Sequence, residues 1–244
     1  DFNIHVQPDG LVYGGVEGIA LTWMDAVTPD GPVTPRIGCP VEIQALWYNA
    51  LCFYHELTGN EEAALLAAKV RDSFEKEFWS DEYGYLADLV NEDGKDWAIR
   101  PNMVFATSLP YTMLSENQND QILETVKSKL LTTRGLRSLA PDDLAYKGYY
   151  FGDQISRDNA YHNGTVWVWP MGHFVEGYIK IHGKSAGNFI KKIIKGFDGV
   201  MTQYGVGTVA EIFDGDPPHR PKGAVSQAWS VAELLRMMDL SKKI

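Results

Sequence analysis

What most limits how this 244-residue chain can fold is the alternation of amphipathic helical patterns with long irregular segments. Apolar residues between Ile43 and Tyr54 recur every three or four positions, which predicts a helix beginning near Pro40 and ending near Gly59. A second helical pattern covers residues 61–78 and follows almost immediately. The two patterns together predict an antiparallel helical hairpin.

Further helical patterns are predicted at 102–109, 116–131, 163–182, 186–201 and 225–238. Long loops are predicted between them at 79–101, 132–159 and 202–223, and residues 1–37 look irregular with short strands. About seven helices in hairpins predict an all-α fold, a helical toroid whose long loops gather at one end. We expect residues 1–244 to belong to one domain.

Two acidic residues occur in settings that favour catalysis. Asp25 directly follows Trp23 and Met24, so we expect its carboxyl group to be poorly solvated. Poor solvation favours the protonated form of a carboxyl group, which a general acid requires at neutral pH. Glu211 lies among apolar residues before a turn, and two such groups in one cleft are the working parts of a glycoside hydrolase. Each residue taken singly is also consistent with a surface or capping carboxylate.

Aromatic and planar polar side chains are grouped in or beside the loops. A sugar presents apolar ring faces and a rim of hydroxyls, so its binding sites combine aromatic rings with side chains that donate and accept hydrogen bonds. The candidates for sugar binding are Trp23, Arg100, Asn102, Tyr161, His162, Trp167, Gln227 and Trp229. Other interpretations stay open: Arg100 and Asn102 as helix caps, His162 as a buried histidine, and one of Trp167 and Trp169 as core.

Composition argues against several classes of protein. With 22 Lys and Arg against 32 Asp and Glu, the formal charge is −10, which disfavours nucleic acid and anionic membranes as partners. Residues 159–175 carry no charge, but Asn, Gly, His and Pro interrupt them, so they do not predict a membrane span. Cys39 and Cys52 are expected to be reduced, and the six histidines show no metal-ligand spacing. We expect no metal, no cofactor and a cytoplasmic location.

Several stretches together resemble a known family. They are 22–26, 33–38, 41–51, 99–102, 135–141, 157–167 and 210–215. In this order, covering nearly the whole chain, they resemble the C-terminal amylo-α-1,6-glucosidase domain of bacterial-type glycogen debranching enzymes. The resemblance implies an (α/α)6 toroid that hydrolyses α-1,6-linked glucose stubs of glycogen or limit dextrin with inversion. It also implies Asp25 as general acid, Glu211 as general base, and Arg36, in a matching stretch, among the residues of the glucose cleft.

One departure from the family pattern concerns length. The implied toroid has about twelve helices, and about seven are predicted here. We therefore expect an incomplete toroid whose partner is the N-terminal remainder of the same protein, and the isolated chain to be inactive if part of the cleft wall is absent. Two alternatives remain: another inverting glycosidase, for instance one acting on trehalose, and a non-catalytic glycan-binding domain.

Overall fold

The computed structural model describes all 244 residues, which form eight α-helices and thirteen short strands. The helices are α1 (Val41–Thr58), α2 (Glu61–Phe78), α3 (Val104–Ser108), α4 (Glu116–Lys129), α5 (Gln154–Tyr161), α6 (Met171–His182), α7 (Gly187–Lys195) and α8 (Ala228–Leu240). No helix among them combines the length and the apolar composition that crossing a bilayer requires.

The predicted hairpin of α1 and α2 is confirmed. Helix α1 ends at Gly59, whose φ of 68° is left-handed and suits glycine. Helix α2 begins after Asn60, whose side-chain oxygen accepts from Ala63 N at 2.8 Å and so caps the helix. The two helices pack against each other, and α2 buries one face with Phe74 and Phe78 at its end.

The all-α prediction, and with it the (α/α)6 toroid, is wrong, because the chain also contains five small antiparallel sheets. The strands are β1 (His5–Val6), β2 (Val12–Tyr13), β3 (Val27–Thr28), β4 (Gly31–Pro32), β5 (Cys39–Pro40), β6 (Trp79–Ser80), β7 (Tyr85–Leu86), β8 (Leu89–Asn91), β9 (Gly94–Asp96), β10 (Leu136–Arg137), β11 (Val166–Trp167), β12 (Ile212–Phe213) and β13 (Pro221–Lys222). Short strands were expected in residues 1–37, where β1 to β4 lie; elsewhere, strands of two or three residues are too short to show the alternating pattern by which sequence reveals a strand.

The largest sheet joins three parts of the chain that are far apart in sequence. Its strand order is β10-β11-β12-β13. Trp167 pairs with Leu136 on one side and with Ile212 on the other. The sheet therefore brings the residues around Tyr161 next to Glu211, the residue immediately before β12.

Two helix predictions need correction in this same region. The predicted helix at 163–182 begins only at Met171, because Gly164 has a left-handed φ of 143° and Pro170 precedes the first helical turn. Conversely, α5 lies inside a predicted loop. Its surface is mostly polar and it contributes nothing to the 38-residue apolar core, so no apolar stripe marks it in the sequence.

The core connects most of the other elements. It is one cluster of 38 buried apolar residues that runs from Leu11 to Met237. Both cysteines are unpaired, as expected, with Cys39 buried and Cys52 half-buried. The loops and short sheets lie around this core and carry the candidate site.

Candidate active site

Glu211 is held firmly at the start of β12. One carboxylate oxygen accepts a hydrogen bond from the Tyr161 hydroxyl, and the other accepts from Ala224 N at 2.7 Å. Gly223 lies directly against this carboxylate, since a Cβ at that position would be 2.3 Å from Glu211 Oε2. The half-buried side chain therefore has a defined orientation, and only glycine at position 223 leaves room for it.

Tyr161 is the direct side-chain partner of Glu211. Burial and the hydrogen bond to Glu211 raise the pKa of the Tyr161 phenol, and the negative charges of Glu211 and Asp25 act in the same direction. The phenol therefore stays protonated and donates to Glu211. Helix α5, which ends at Tyr161, also lies against β3, which begins two residues after Asp25.

The expected poor solvation of Asp25 is wrong, because the residue is exposed. Met24 is fully buried and Trp23 half-buried, so the apolar neighbours are where the sequence suggested. Successive side chains in extended backbone point to opposite sides, and here Met24 points inward while Asp25 faces solvent. Asp25 is therefore adjacent to two apolar residues in sequence without being buried with them.

An aromatic cluster surrounds Trp23, and it comprises Trp23, Tyr161, His162, Trp167, Trp169 and Trp229. The Trp23 ring meets three others edge to face, at centroid distances of 5.2 Å to His162, 5.3 Å to Trp167 and 4.9 Å to Trp169. Trp229 stacks on Trp169 at 5.1 Å. Trp167 is buried whereas Trp229 is 37% exposed, so the aromatic cluster has a buried floor and an accessible side.

His162 forms part of the buried floor. It is 0% exposed, stacks on Trp167 with an interplanar angle of 10°, and neither ring nitrogen has a hydrogen-bond partner. Burial lowers the pKa of His162 to about 3, and the charges of Arg100 and Arg36 add to this. The ring is therefore neutral at pH 7.

A buried polar chain holds Trp23 from behind. Trp23 Nε1 donates to Asn102 Oδ1 at 2.7 Å, and Asn102 Nδ2 donates to Asp88 Oδ1 at 2.7 Å. Asp88 in turn accepts from Arg36 Nε at 3.0 Å, and the Arg36 guanidinium also pairs with both oxygens of Glu42. The orientation of Trp23 thus depends on an ion cluster below it.

Arg36 is occupied by that ion cluster. Burial lowers the pKa of Arg36, but the charges of Asp88 and Glu42 and the hydrogen bonds to them outweigh this and raise it overall. Its side chain is only 5% exposed. We therefore assign Arg36 to the support of the site, although the resemblance implied contact with sugar.

Arg100 ties three segments together. Its guanidinium donates to the carbonyls of Ser138 at 3.1 Å and His162 at 2.6 Å, and to Asn163 Oδ1 at 3.0 Å. The pKa of Arg100 is lowered, mainly because the guanidinium is buried. Like Asn102, it is buried and positions its neighbours.

The remaining predicted residue, Gln227, is the N-cap of α8, where its side-chain oxygen accepts from Ala228 N at 2.9 Å. The structure also adds residues that sequence reasoning did not single out: Glu42, Asp88, Trp169 and Gly223. Of these, Trp169 carried a signal, since it lies two positions from Trp167 in an apolar stretch. Nothing near Asp88 or Gly223 in the sequence indicates their long-range partners.

A group of metal-binding residue types lies elsewhere. Donor atoms of Asp120, Glu124 and His182 lie within 4.8 Å of one another. Glu124 is already paired with Lys127 Nζ at 2.7 Å, so a cation would compete with an existing ion pair. We give this group no role in the candidate site.

Replacing Arg36 with Met is expected to lower the free energy of unfolding by about 3 kcal/mol, because it leaves the carboxylates of Glu42 and Asp88 buried without their counter-ion. Chemical denaturation measures the change. Arg71→Met is the matched control, since Arg71 pairs with Asp72 at the surface and should change stability little. Equal effects of the two substitutions would contradict a stabilising role for the buried cluster.

The chain matches the amylo-alpha-1,6-glucosidase family over residues 1–236. The chain belongs to the amylo-alpha-1,6-glucosidase family. This confirms the family resemblance read from the sequence and places the protein among the glycoside hydrolases. The stretches that carried that resemblance include Trp23 and Tyr161, which belong to the aromatic cluster, and Glu211, which accepts a hydrogen bond from Tyr161.

Relatives of this chain include a glycogen debranching enzyme of Saccharomyces cerevisiae. The two are 27% identical over an alignment 236 positions long, and the match covers 76% of this chain and 15% of the yeast protein. The chain thus spans about 15% of the length of this relative.

Two solved structures have a similar fold. A neutral trehalase from Saccharomyces cerevisiae matches with a TM-score of 0.64 at 14% identity, covering 88% of this chain and 40% of the trehalase. A mannosylglycerate hydrolase from Thermus thermophilus matches with a TM-score of 0.59 at 13% identity, covering 83% of this chain and 46% of the other. At these identities the likeness concerns the fold alone.

Proposed function

We propose that this chain carries the active site of an α-1,6-glucosidase that removes single α-1,6-linked glucose units from a branched α-glucan, such as glycogen or limit dextrin. The observation that carries the proposal is the position of Tyr161. Its hydroxyl donates to Glu211, and the helix that it ends, α5, lies against β3, which begins two residues after Asp25, so one short helix lies beside the segments of both acidic residues. Family membership supplies the reaction class.

In the proposed mechanism Asp25 protonates the glycosidic oxygen, and Glu211 takes a proton from a water molecule on the opposite face of the glucose. The water adds to the anomeric carbon as the bond to the leaving glucan breaks, so the configuration inverts. This mechanism requires the two carboxyl groups to be roughly 6.5–9.5 Å apart. Each Glu211 oxygen has one protein donor in the structure and retains a lone pair for the water.

Because Asp25 is exposed, a bound substrate would change the solvation of its carboxyl group. A glucose ring lying on the accessible side of the aromatic cluster would displace water from Asp25. Removal of water favours the protonated form of a carboxyl group, as a general acid requires. Trp23 and Trp229 are the accessible rings that would contact the sugar face, and the buried residues below would hold them in place.

We further propose that another part of a longer protein packs beside this site. Leu46, Phe53 and Leu57 lie on one side of α1 at helical spacing and are all exposed. The relatives described above are longer than this chain, which leaves room for additional helices over that surface. Activity is therefore best measured on the complete protein.

The direct test is the anomeric form of the product. The complete protein, given a dextrin with single α-1,6-linked glucose units, should release β-glucose first, as NMR during the first minutes would show. Initial release of α-glucose would contradict inversion. Faster hydrolysis of trehalose than of the branched dextrin would favour another glycosidase, and saturable dextrin binding without glucose release would favour a non-catalytic glycan-binding domain.

A further inference from the structure

A cavity that shares no lining residue with the aromatic cluster lies between α7, β10 and the loop that joins β12 to β13. Its volume is about 360 Å³, enough for a small organic molecule. Leu131, Phe189 and Ile193 form its apolar surface. The hydroxyl-bearing residues Thr132 and Thr133 lie at its side. It thus offers a ring-sized apolar surface beside polar groups.

The electrostatic character of this cavity differs from that of the whole chain. The chain has a net charge of −10, yet none of the nine residues that line the cavity is acidic. Arg137 and Lys192 both line it, and neither forms a salt bridge within the chain. Two positive charges that form no salt bridge, beside an apolar surface, attract an anionic ligand.

Two of the lining side chains are already held in place. Arg137 Nε donates to Gly215 O at 2.9 Å. His219 lies 3.0 Å from Asp214 O through Nδ1, and because a carbonyl only accepts, Nδ1 carries the proton and Nε2 is left unprotonated in the neutral ring. A ligand group therefore meets side chains whose conformations need little further ordering, which reduces the entropic cost of binding.

We propose that this cavity binds a small phosphate monoester with a ring-shaped body. Arg137 and Lys192 would bind the phosphate, because a guanidinium presents paired donors that match phosphate oxygens and an ammonium adds a point charge. The apolar surface around Phe189 would take the face of the ring, and the Thr133 hydroxyl would take its polar edge, since the Thr132 hydroxyl already donates to Gly135 O. The proposal is independent of the glucosidase proposal, since it uses none of the same side chains.

The test is calorimetric titration of the complete protein with glucose 6-phosphate, with glucose and inorganic phosphate as partial probes. We expect saturable binding of glucose 6-phosphate that is tighter than that of either partial probe. Lys192→Gln should raise its Kd about tenfold, as expected for loss of one hydrogen bond to a charged group. Lys191→Gln is the matched control, because Lys191 is the exposed neighbour on α7 and does not line the cavity.

Several outcomes would overturn the proposal. These are an absence of saturable binding, an equal loss of affinity in Lys191→Gln and Lys192→Gln, and displacement of glucose 6-phosphate by a branched dextrin. Equal losses would mean that the general charge of α7 attracts the anion. Displacement by dextrin would place the ligand in the glucan site. None of these results depends on whether the protein releases glucose, so failure here is distinct from failure of the proposed function.

Discussion

Replacing Glu211 with Gln is expected to lower kcat for glucose release from an α-1,6-branched dextrin by about 100-fold or more in the complete protein. The amide keeps the shape of the side chain but cannot take a proton from the attacking water. It also places an amide nitrogen at one of the two oxygen positions that now accept from the Tyr161 hydroxyl and Ala224 N. The measurement is the initial rate of glucose release at saturating dextrin.

Glu92→Gln is the matched control for this substitution. Glu92 is exposed and forms no salt bridge, so the same chemical change there should leave kcat unaltered. Thermal unfolding of both variants checks that the fold is retained. A Glu211→Gln enzyme with near-normal turnover would refute the assignment of Glu211 as general base.

Replacing Asp25 with Asn should also lower turnover of the branched dextrin by about 100-fold or more. Here the physical reason is different, because the lost group donates a proton to the leaving glycosidic oxygen. A substrate whose leaving group needs no proton should escape the effect. We therefore expect Asp25→Asn to hydrolyse α-glucosyl fluoride, which releases fluoride ion, at close to the normal rate, whereas Glu211→Gln should remain slow on both substrates.

The comparison with α-glucosyl fluoride distinguishes the general acid from the general base. It is needed because the exposed Asp25 lacks the apolar surroundings expected of a general acid. Asp30→Asn is the matched control, since Asp30 is exposed in the same part of the chain, between β3 and β4. If Asp25→Asn and Glu211→Gln exchanged their behaviour on the fluoride, the two roles would be reversed. If Asp25→Asn were normal on dextrin, Asp25 would have no part in the chemistry.

Local signals in the sequence were sufficient for much of the helical structure. The end of α1 at Gly59 and the start of α2 after Asn60 follow from backbone conformation and a side-chain cap, both of which act over a few residues. The family was also recognisable, because its characteristic stretches are short runs of residues that can be matched without knowing the fold. Helix α5 was missed because its polar surface shows no periodic apolar pattern.

The sheet that assembles the site could not be predicted in the same way. Its strands have two residues each, and their pairing joins Leu136, Trp167 and Ile212 across long stretches of chain. Such pairing is stabilised by the surrounding core, so no local run of residues reveals it. That non-local pairing, together with short local hairpins such as β3–β4 and β8–β9, makes the all-α prediction fail in this protein.

By itself the sequence identified the side chains whose chemistry suits hydrolysis or sugar binding: Asp25, Glu211 and the aromatic residues in the same stretches. Tertiary structure alone decided which of them are exposed and which are buried behind the others. It left Asp25 exposed, buried His162, and committed Arg36 to Glu42 and Asp88. The physical reason is that residue type sets which reactions and contacts a side chain is capable of. Its solvation and its hydrogen-bond partners decide whether it makes them, and these come from segments distant in the chain.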